Sequence, residues 1–316
     1  MKIAVTGAFS YSGKFITKRL LERGEEVITL TGHPNRPDPF GGKVKVYPLD
    51  FDEASMTRSL QGVDVLVNTY WVRFDKGKNT QPRAVENTRK LVNAAKAAGV
   101  KRVVHISITN PSAKSHLPYF WGKAANEKAV IDSGMSYAIL RPTVLVGYED
   151  ILVNNIAFLL RRFPFFLVPG DGSYKLQPVH VDDLAALAVE GVYRAENYII
   201  DAVGPDIFTF KELVQLVGEK IGARRPLIPV PPRLALLAAQ FLSLFVKDVI
   251  LTPEEVDGLM AGLLVSNEPP RGKIRLADWL EKNKNQVGAR YASEIKKHYE
   301  FDVMVRRAQP DKAISS

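Results

Sequence analysis

The segment Thr6-Gly7-Ala8-Phe9-Ser10-Tyr11-Ser12-Gly13 joins a predicted strand, Lys2–Thr6, to a predicted amphipathic helix, Ser12–Arg23. Glycines in such a turn allow a tight bend, a close backbone approach to a pyrophosphate and close packing of helix on strand. The two glycines can meet the first and third requirements, whereas Ser10 stands at the middle position, where its hydroxyl can donate to a phosphate or its Cβ can hold a dinucleotide further off. Because the segment opens a β-α-β unit, we predict a dinucleotide site rather than a plain turn, with pyrophosphate at the helix N-terminus. The predicted contacts are Gly7, Phe9, Ser10, Tyr11, Ser12 and Gly13.

The end of the second predicted strand indicates which dinucleotide is bound. An Asp or Glu at this place binds the ribose hydroxyls of NAD, but the chain reads Thr29-Leu30-Thr31-Gly32-His33-Pro34-Asn35-Arg36, without a carboxylate. The side chains that can instead surround the 2′-phosphate of NADP are Thr31, His33, Asn35 and Arg36. We therefore predict NADP as the cofactor, with NAD as the alternative.

Outward from the glycine turn, short β-branched runs alternate with helical patterns along the first half of the chain. Strands that alternate with helices favour right-handed β-α-β units and a parallel sheet. The near-continuous apolar runs at 63–67 and 103–106 suit strands that are covered on both faces. The further predicted strands are Glu26–Thr31, Val44–Pro48, Val63–Asn68, Arg102–Ile108 and Tyr137–Arg141. The further predicted helices are Glu53–Leu60, Gln81–Ala98 and Tyr119–Ser133.

The regular alternation weakens after about Leu145. Thr209 followed by Glu212 is a capping-box pattern and marks the start of a helix. Proline-rich turns at Pro226–Pro232 and Pro269-Pro270 flank two further helices. The other elements predicted for this half are the helices Ile151–Phe163, Thr209–Ile221 and Gly288–Tyr299 and the short strands Pro178–Val181 and Tyr198–Ile200.

The 316 residues of the chain are enough for one large domain with a smaller lobe. We predict an α/β fold in which residues 1–145 form a doubly wound Rossmann domain, completed by returns of the chain at about 176–203. Residues 146–175 and 204–300 are predicted to form a smaller, mostly helical substrate lobe. The tail, 301–316, is predicted to be disordered.

The charge and the cysteine count exclude several classes of function. The formal net charge is +9, but the basic residues are scattered and form no aromatic-interleaved motif, so we predict no nucleic-acid partner. The charge can instead favour anionic cofactors or membrane headgroups. With no cysteine, disulfides, zinc–thiolate sites and thiol catalysis are excluded, and we predict no metal site. The first residues run straight into a strand pattern without signal-peptide features, so we expect a cytoplasmic protein.

The most apolar window of the chain is Leu234–Val246. It is too short to span a bilayer, which requires about 20 residues. We interpret it as a helix of the core or of a homodimer interface. The alternative is a peripheral contact with a membrane surface.

A possible centre of chemistry is Tyr119-Phe120-Trp121-Gly122-Lys123, with Ser107 upstream. On a helix, side chains at i and i+4 share one face, so the phenol and the ammonium lie side by side. A neighbouring positive charge favours the phenolate, which makes Tyr119 a candidate proton donor or acceptor. Taken alone, this spacing is weak evidence, and it gains weight only beside a nucleotide site.

Several segments, taken in order, resemble the short-chain dehydrogenase/reductase superfamily over roughly residues 1–215. The extended and atypical members are most similar: nucleotide-sugar epimerase-like proteins, NmrA-like proteins and the NADPH-holding accessory subunit of respiratory complex I. The segments beyond the glycine turn that carry the resemblance are Leu49-Asp50-Phe51-Asp52, Asn68-Thr69-Tyr70-Trp71, Glu86-Asn87-Thr88, Val100–Ser107, Tyr119–Glu127, Leu140–Gly147 and Pro178–Ala185.

The resemblance implies roles for individual residues. Tyr119 would be the general acid/base, Lys123 would hold the nicotinamide ribose, and Ser107 would bond the substrate oxygen. It also implies that Asp50 and Phe51 adjoin the adenine. The remaining cofactor contacts that it implies are Asn68, Thr69, Tyr70, Asn87, Lys123, Pro142, Thr143 and Val144. By the same resemblance, His180 and the pair Asp182 and Asp183 are structural rather than catalytic.

Two functions remain open at this stage. The first is an NADP-dependent oxidoreductase or epimerase-type enzyme. Because residues 158–167 and 234–246 are strongly apolar, its small-molecule substrate is expected to be a hydrophobic carbonyl or hydroxyl compound, such as a lipid, an isoprenoid or a quinone. The second is a non-catalytic NADP(H)-binding redox sensor or assembly subunit, which the incomplete glycine turn favours.

Overall fold

A parallel sheet of seven strands forms the centre of the protein in a computed structural model that describes residues 1–246, 248–249, 252–293 and 295. Strands and helices are numbered separately in chain order. The strands of this sheet are β1 (Lys2–Thr6), β2 (Glu26–Thr31), β3 (Lys45–Pro48), β4 (Val65–Asn68), β5 (Arg102–Ile106), β6 (Ser136–Pro142) and β11 (Tyr198–Ala202). The helices are α1 (Tyr11–Glu22), α2 (Glu53–Ser59), α3 (Gln81–Ala97), α4 (Pro118–Asp132), α5 (Leu152–Arg162), α6 (Val181–Tyr193), α7 (Phe210–Lys220), α8 (Pro232–Val246), α9 (Pro253–Met260) and α10 (Leu276–Asn283).

The order of the strands is β11-β6-β5-β4-β1-β2-β3, and every neighbouring pair is parallel. After β1 the chain moves to one side through β2, and it later returns to the other side of β1 through β4. This reversal opens a crevice at the carboxyl ends of β1 and β4, which is where ligands bind in open α/β sheets. The Rossmann-type fold predicted from the sequence is confirmed.

Successive residues of a strand point to opposite faces of the sheet, and each face has its own apolar layer. Ile3 and Val5 of β1 pack with Ile16 and Leu20 of α1 and with side chains of α6. Ala4, between them, faces the layer that contains side chains of α2 and α3. This two-sided burial explains why these strands are almost continuously apolar.

Short strand pairs and helices of the second half enclose a separate apolar cluster. The short strands are β7 (Leu145–Val146), β8 (Phe166–Pro169), β9 (Lys175–Leu176), β10 (Val179–His180), β12 (Phe208–Thr209) and β13 (Leu227–Val230). The cluster contains side chains of α5, α7 and α10, among them Leu160, Leu213 and Trp279. At the start of α7, Thr209 and Glu212 form the predicted capping box.

Three predictions for the second half need correction. The proline-rich run at 226–232 contains a strand, β13, because Leu227–Val230 pairs in parallel with β8. The chain forms α10 where no helix is predicted. Residues 288–293 of the predicted final helix are not helical. Beyond residue 293 the structure describes only residue 295, so the rest of that predicted helix and the tail, 301–316, lie outside the described residues.

Contacts with α5 explain why the chain forms turns and irregular structure after α10 instead of the predicted helix. The Arg161 side chain donates to the Val287 carbonyl, and Asn155 exchanges two hydrogen bonds with the backbone of Ala292. Gly288 has a φ of +68°, and a Cβ there would lie 2.5 Å from Ala157. These tertiary contacts outweigh the helical pattern of the sequence. In the part of the chain that the structure describes, no helix is long and apolar enough to cross a membrane.

Candidate active site

The glycine turn brings backbone groups together at the carboxyl end of β1. Gly7 has a φ of +64°, which glycine adopts without strain. The Ser10 hydroxyl donates to the Gly7 carbonyl at 2.6 Å, so it stabilises the turn itself. A Cβ on Gly13 would lie 2.1 Å from the same carbonyl oxygen. The structure therefore uses Gly13 for close packing of α1 on the turn, as the sequence predicts.

The amino end of α1 offers amide donors in its first turn. Ser10 occupies the N-cap position but makes no side-chain capping bond, because its hydroxyl is directed to Gly7. The first amides of a helix lack partners within the helix and carry positive partial charge. Ser12, in this first turn, is half-buried. The turn is therefore open to an anion such as a pyrophosphate.

Two aromatic side chains of the turn face away from one another. Phe9 is buried in the apolar layer, with its ring centroid 6.2 Å from that of Phe40. Tyr11 lines a large cavity described below, and its buried hydroxyl has no hydrogen-bond partner among the described residues. Burial raises the pKa of Tyr11, as do Asp150 and Glu149. Of the two, Tyr11 is the one whose side chain faces a space that a ligand can enter.

The turn after β2 lies beside the glycine turn, because the Gly7 amide donates to the Leu30 carbonyl at 2.9 Å. Thr31 is buried, and its hydroxyl accepts from the His33 amide at 3.0 Å. The amide of Arg36 closes the turn by donating to the carbonyl of His33. Asn35 is exposed on the same turn. The structure thus brings the predicted 2′-phosphate residues next to the glycine turn.

A chain of contacts links the predicted adenine residues to α3. Phe51 has a φ of +59°, and its ring centroid lies 4.8 Å from that of Tyr70. The Tyr70 hydroxyl accepts a hydrogen bond from the Asn87 side chain at 3.0 Å. Asp50 is exposed and accepts from the Asp52 amide. The predicted residues at the ends of β3 and β4 are therefore brought together with Asn87.

The carboxyl end of β4 is fixed to β1 and β5 by buried polar groups. The Thr6 hydroxyl donates to Asn68 and accepts from the Thr69 amide, and the Thr69 hydroxyl donates to the Thr6 carbonyl at 2.6 Å. The Asn68 amide nitrogen lies 3.2 Å from Nδ1 of His105. Burial lowers the pKa of His105 to about 3, which keeps it neutral. Asn68 therefore has a structural role within the sheet, and Thr69 borders the turn at Gly7.

Lys123 is buried below the predicted catalytic tyrosine. Its Nζ donates to the Ile106 carbonyl at 3.0 Å. Burial lowers the pKa of Lys123 to about 7, although Glu127 opposes this shift. The ammonium lies 5.0 Å from the ring centroid of Trp71 and 5.9 Å from that of Tyr119. The structure thus directs Lys123 to the end of β5, and its bond to a ribose stays a prediction.

Tyr119 and Ser107 are the other two predicted catalytic residues. Tyr119 is half-buried, its ring meets Trp71 edge-on at 5.6 Å, and it lines the cavity. Ser107 directly follows β5 and is 2% exposed. Its hydroxyl has no hydrogen-bond partner in the described part of the chain. An orphaned buried hydroxyl at this place is suited to a ligand oxygen.

The segment after β6 completes one wall of the site. Pro142 is the last residue of β6 and pairs with Ala202 of β11. Thr143 and Val144 line the cavity, but the Thr143 hydroxyl donates to the Gln177 carbonyl. Thr143 therefore offers its methyl and backbone groups rather than its hydroxyl to a ligand.

The structure also shows site residues that the sequence prediction omits. Trp71 contacts both Tyr119 and Lys123, and a Cβ on Gly122 would lie 2.5 Å from its ring. A glycine within the tyrosine–lysine segment is a sequence signal for such a close approach. Asn126 is fully buried one turn after Lys123, and neither polar atom of its side chain has a partner among the described residues. No spacing in the sequence indicates this orientation.

The acidic pair on α6 has structural contacts. His180 caps α6, because its Nδ1 accepts from the Asp182 amide at 3.2 Å. Asp182 forms a two-bond ion pair with Arg19 of α1. Asp183 accepts from two successive amides, of Lys273 and Ile274. These contacts join α6 to α1 and to the chain before α10, in keeping with the structural role that the resemblance implies.

A cavity of about 1480 Å³ lies between the end of the sheet and the helices of the second half. On the sheet side its lining includes Tyr11, Ile108, Tyr119, Thr143 and Val144. On the opposite side it includes Leu152, Ile156, Leu159, Phe163, Phe165, Phe166, Ala235, Ala238, Ala239 and Phe241. Charged groups stand at one part of the wall, where Arg73 Nε lies 2.5 Å from Glu255 Oε1. Other polar and charged residues of the lining include Asp75, Lys76, Glu149, Asp150 and Asn155, but most of the surface that faces the cavity is apolar.

Comparison with known proteins identifies the nucleotide domain. Residues 7–154 match the model of a family described as NAD(P)H-binding. This part of the chain is therefore similar to NAD(P)H-binding domains, and the fold is shared with epimerases and a quinone oxidoreductase of known structure. The crystal structure of UDP-N-acetylglucosamine 4-epimerase from Bacillus cereus has a TM-score of 0.66 to it at 16% identity, covering 92% of this chain and 97% of that one.

Two further relatives are similar in sequence. NADH dehydrogenase (ubiquinone) 1 alpha subcomplex subunit 9 of Arabidopsis thaliana mitochondria is 27% identical over 231 residues, 69% of this chain but only 57% of that protein. Quinone oxidoreductase 2 of Escherichia coli is 26% identical over 226 residues, 70% of this chain and 74% of that protein. The crystal structure of the latter with NADPH has a TM-score of 0.71 at 21% identity, covering 90% of this chain and 98% of that one.

The residues present fit a bound NAD(P)H molecule. The uncapped first turn of α1, which follows the tight glycine turn, suits a pyrophosphate. The carboxylate-free turn after β2 suits a phosphorylated ribose. The half-buried Tyr119 lines the cavity, and the orphaned hydroxyl of Ser107 lies directly after the carboxyl end of β5. The prediction of a nicotinamide dinucleotide cofactor is confirmed, whereas the choice of NADP over NAD stays a prediction.

Proposed function

We propose that the protein is an NADP-dependent oxidoreductase that reduces a hydrophobic carbonyl or quinone. The observation that carries the proposal is the position of Tyr119, which lines a large apolar cavity on one side and covers the buried Lys123 on the other. When bound, the nicotinamide supplies the hydride. The Tyr119 hydroxyl would then donate a proton to the substrate oxygen, converting C=O and its added hydride into a hydroxyl group.

The surroundings of Tyr119 support this role. Lys123 is held behind the ring in a site where burial brings its pKa to about 7, so it can return a proton to Tyr119 near neutral pH. Ser107 would orient the substrate oxygen with its unpartnered hydroxyl. Trp71 packs on both Tyr119 and Lys123 and excludes water from the lysine. Proton transfer between held groups contributes typically about 10²–10⁴-fold to a rate.

The cavity supports the proposed substrate class. Its lining is largely aromatic and aliphatic, and its volume of about 1480 Å³ exceeds what a single small ring needs. A nucleotide sugar would need more polar groups than this wall provides. We therefore propose a lipid, isoprenoid or quinone substrate rather than a sugar, and we propose residues 146–175 and 204–300 as the substrate lobe. The name of the Escherichia coli relative, quinone oxidoreductase 2, agrees with this class.

The proposed proton donor can be tested with Tyr119→Phe. We expect this variant to bind NADPH with unchanged affinity but to oxidise it at least about 100-fold more slowly with any active quinone or aryl ketone. The control is Tyr148→Phe, which changes a tyrosine that is exposed. It should leave turnover unchanged. Equal turnover by Tyr119→Phe and the wild-type protein would rule out this role for the phenol.

The preference for NADP can be tested by titration of the purified protein with NADPH and with NADH. We expect tighter binding of NADPH, because the turn at 31–36 has no carboxylate to repel the 2′-phosphate. Arg36→Gln should weaken NADPH more than NADH. Equal affinities in the wild-type protein would contradict this proposal and leave the oxidoreductase proposal intact.

A second candidate is a non-catalytic NADP(H)-binding subunit. It is favoured by the similarity to the Arabidopsis subunit and by the Lys123 amine, which is bonded to Ile106. It predicts tight NADPH binding without hydride exchange. Transfer of deuterium from the labelled nicotinamide C4 to any added carbonyl compound would exclude it. Under either candidate, we propose a cytoplasmic location.

A further inference from the structure

Large apolar side chains are exposed where the cavity meets solvent. Phe163, Phe165 and Phe241 line the cavity and are also 39%, 43% and 65% exposed. Phe163 and Phe165 follow the end of α5, whereas Phe241 lies on α8. The mouth of the cavity is therefore bordered by phenyl rings from two separate parts of the chain. Contiguous exposed apolar surface of this kind marks an interaction site.

Helix α8 carries apolar residues on two faces. Ala235, Ala238 and Ala239 face the cavity. Leu234 and Leu237 are 52% and 59% exposed, and together with Phe241 they follow the i, i+3, i+7 spacing of one helix face. A helix with one apolar face towards the cavity and another towards the exterior is suited to an apolar environment outside the protein as well.

Arginines surround these exposed apolar residues. Arg162 precedes Phe163, Arg225 precedes β13, and Arg233 lies beside Leu234, and all three arginines are exposed. Pairing of β13 with β8 brings Arg225 near the phenyl rings, because the Phe166 amide donates to the Pro226 carbonyl. Arg162 and Arg225 donate to backbone carbonyls, which carry no net charge, so these bonds leave the positive charges in place. The neighbouring Arg224 is paired with Glu219 at 3.1 Å.

We propose that this surface docks on an anionic lipid bilayer with the mouth of the cavity turned towards the acyl chains. The docking surface comprises Phe163, Phe165, Leu234, Leu237, Phe241, Arg162, Arg225 and Arg233. Exposed phenyl and leucyl side chains insert at the headgroup boundary, and each nearby arginine adds attraction to anionic headgroups. Long arginine side chains can lie along an apolar surface while their charged ends reach the phosphates.

The charge of the surface favours a bilayer over a second copy of the chain. A symmetric dimer through this face would place identical patches against each other, and the arginines of both copies would then be close. An anionic headgroup layer complements them instead. The docked orientation would let an apolar molecule move from the bilayer into the cavity without crossing water. That this molecule is the substrate rests on the proposed oxidoreductase function.

The experiment is co-sedimentation of the full chain with vesicles of phosphatidylcholine alone or mixed with phosphatidylglycerol. We expect binding to the mixed vesicles, weakened by salt, and little binding to phosphatidylcholine. The double variant Leu234→Ser/Leu237→Ser should lose binding at least about fivefold. Ile207→Ser is the matched control, because Ile207 is 48% exposed elsewhere on the protein, and it should bind as the wild type does.

Failure to bind the mixed vesicles would overturn the proposal, and so would either of two more specific outcomes. Equal loss of binding in the double variant and in Ile207→Ser would show that binding does not depend on this surface. No binding to mixed vesicles, together with a wild-type dimer that the double variant converts into a monomer, would show that a second copy covers the face. NADPH affinity and reduction of a water-soluble quinone are measured in parallel. If the wild-type protein shows neither property but still binds the mixed vesicles, the oxidoreductase proposal is refuted and the docking surface stands.

Discussion

At the scale of single residues, the burial of Lys123 gives the protein a specific dependence on pH. Its amine has a pKa of about 7 in the folded protein, whereas a lysine in the unfolded chain titrates at about 10.4. Between these values the unfolded state binds a proton that the folded state does not, so the free energy of unfolding rises with pH. Below about pH 7 the buried amine is charged, and the full free-energy penalty of burying that charge lowers the free energy of unfolding.

We expect Lys123→Met to remove this rise. In urea unfolding measured at pH 7, 8 and 9, the wild-type free energy of unfolding should increase, because each unit of the lowered pKa corresponds to about 1.4 kcal/mol. The variant should show a flatter profile over the same range. Lys128→Met is the matched control, since Lys128 lies on the same helix with its side chain exposed. An unchanged slope in Lys123→Met would mean that the amine is not desolvated.

Trp71 and Gly122 form a second pair whose contact can be tested at this scale. We expect Gly122→Ala to destabilise the fold by about 1–3 kcal/mol, because the added Cβ would lie 2.5 Å from the indole ring. The Tyr119 and Lys123 side chains pack on the same ring, so turnover should fall as well.

A double-mutant cycle isolates this contact. In a Trp71→Leu background the cost of Gly122→Ala should largely disappear, because the ring is gone. Gly258→Ala on α9 serves as the control, since a Cβ there would meet its nearest neighbour at an ordinary 3.4 Å. Additive effects of the Trp71 and Gly122 substitutions would show that the two residues are not in contact.

At the scale of elements, the junction of β1 and α1 depends on one position without a side chain. Gly13→Ala would place a Cβ 2.1 Å from the Gly7 carbonyl oxygen, and a backbone atom cannot turn aside as a flexible side chain can. We expect α1 to shift, with a loss of about 1–3 kcal/mol in stability and weaker NADPH binding in a fluorescence titration. Lys18→Ala, at an exposed position of the same helix, should keep both properties. Wild-type NADPH affinity in Gly13→Ala would exclude a pyrophosphate site at this turn.

The elements that the sequence predicts well are those whose pattern is local. Strands such as Arg102–Ile106 are buried on both faces and contain near-continuous apolar runs, and α7 begins at a capping box that two residues define. The strand within 226–232 and the irregular chain at 288–293 depend on partners distant in sequence, β8 and α5. Neither partner can be inferred from the local pattern.

The same distinction applies to the candidate site. The spacing of Tyr119 and Lys123 places both on one face of α4, and the glycine turn identifies the cofactor crevice. In contrast, the bond from Lys123 to Ile106 and the position of Trp71 depend on how α4 and the β4 loop meet at the end of the sheet. Sequence spacing carries no information about that contact, so these features become visible only in the structure.

At the scale of the whole molecule, the cavity lies between two sets of elements that are joined by polar links around it. One link is the ion pair of Arg73 with Glu255 of α9. Another is Asn110, whose side-chain nitrogen donates to the Leu263 and Val265 carbonyls, each at 2.9 Å. The proposed cofactor crevice and the proposed substrate wall therefore come from different parts of the chain. Changes in the helical wall should affect substrate without affecting cofactor.

Ala239→Trp tests this separation, because Ala239 lines the cavity from α8. An indole there would fill space that a long apolar substrate needs, so we expect kcat/KM to fall by about tenfold or more for a long-chain quinone and less for a short-chain one. NADPH affinity, measured by titration, should not change. The matched control is Gln240→Trp, which adds the same side chain at the exposed neighbouring position. If both variants lowered turnover of short- and long-chain quinones equally, the substrate would not occupy this cavity, because only one of the two indoles can reach it.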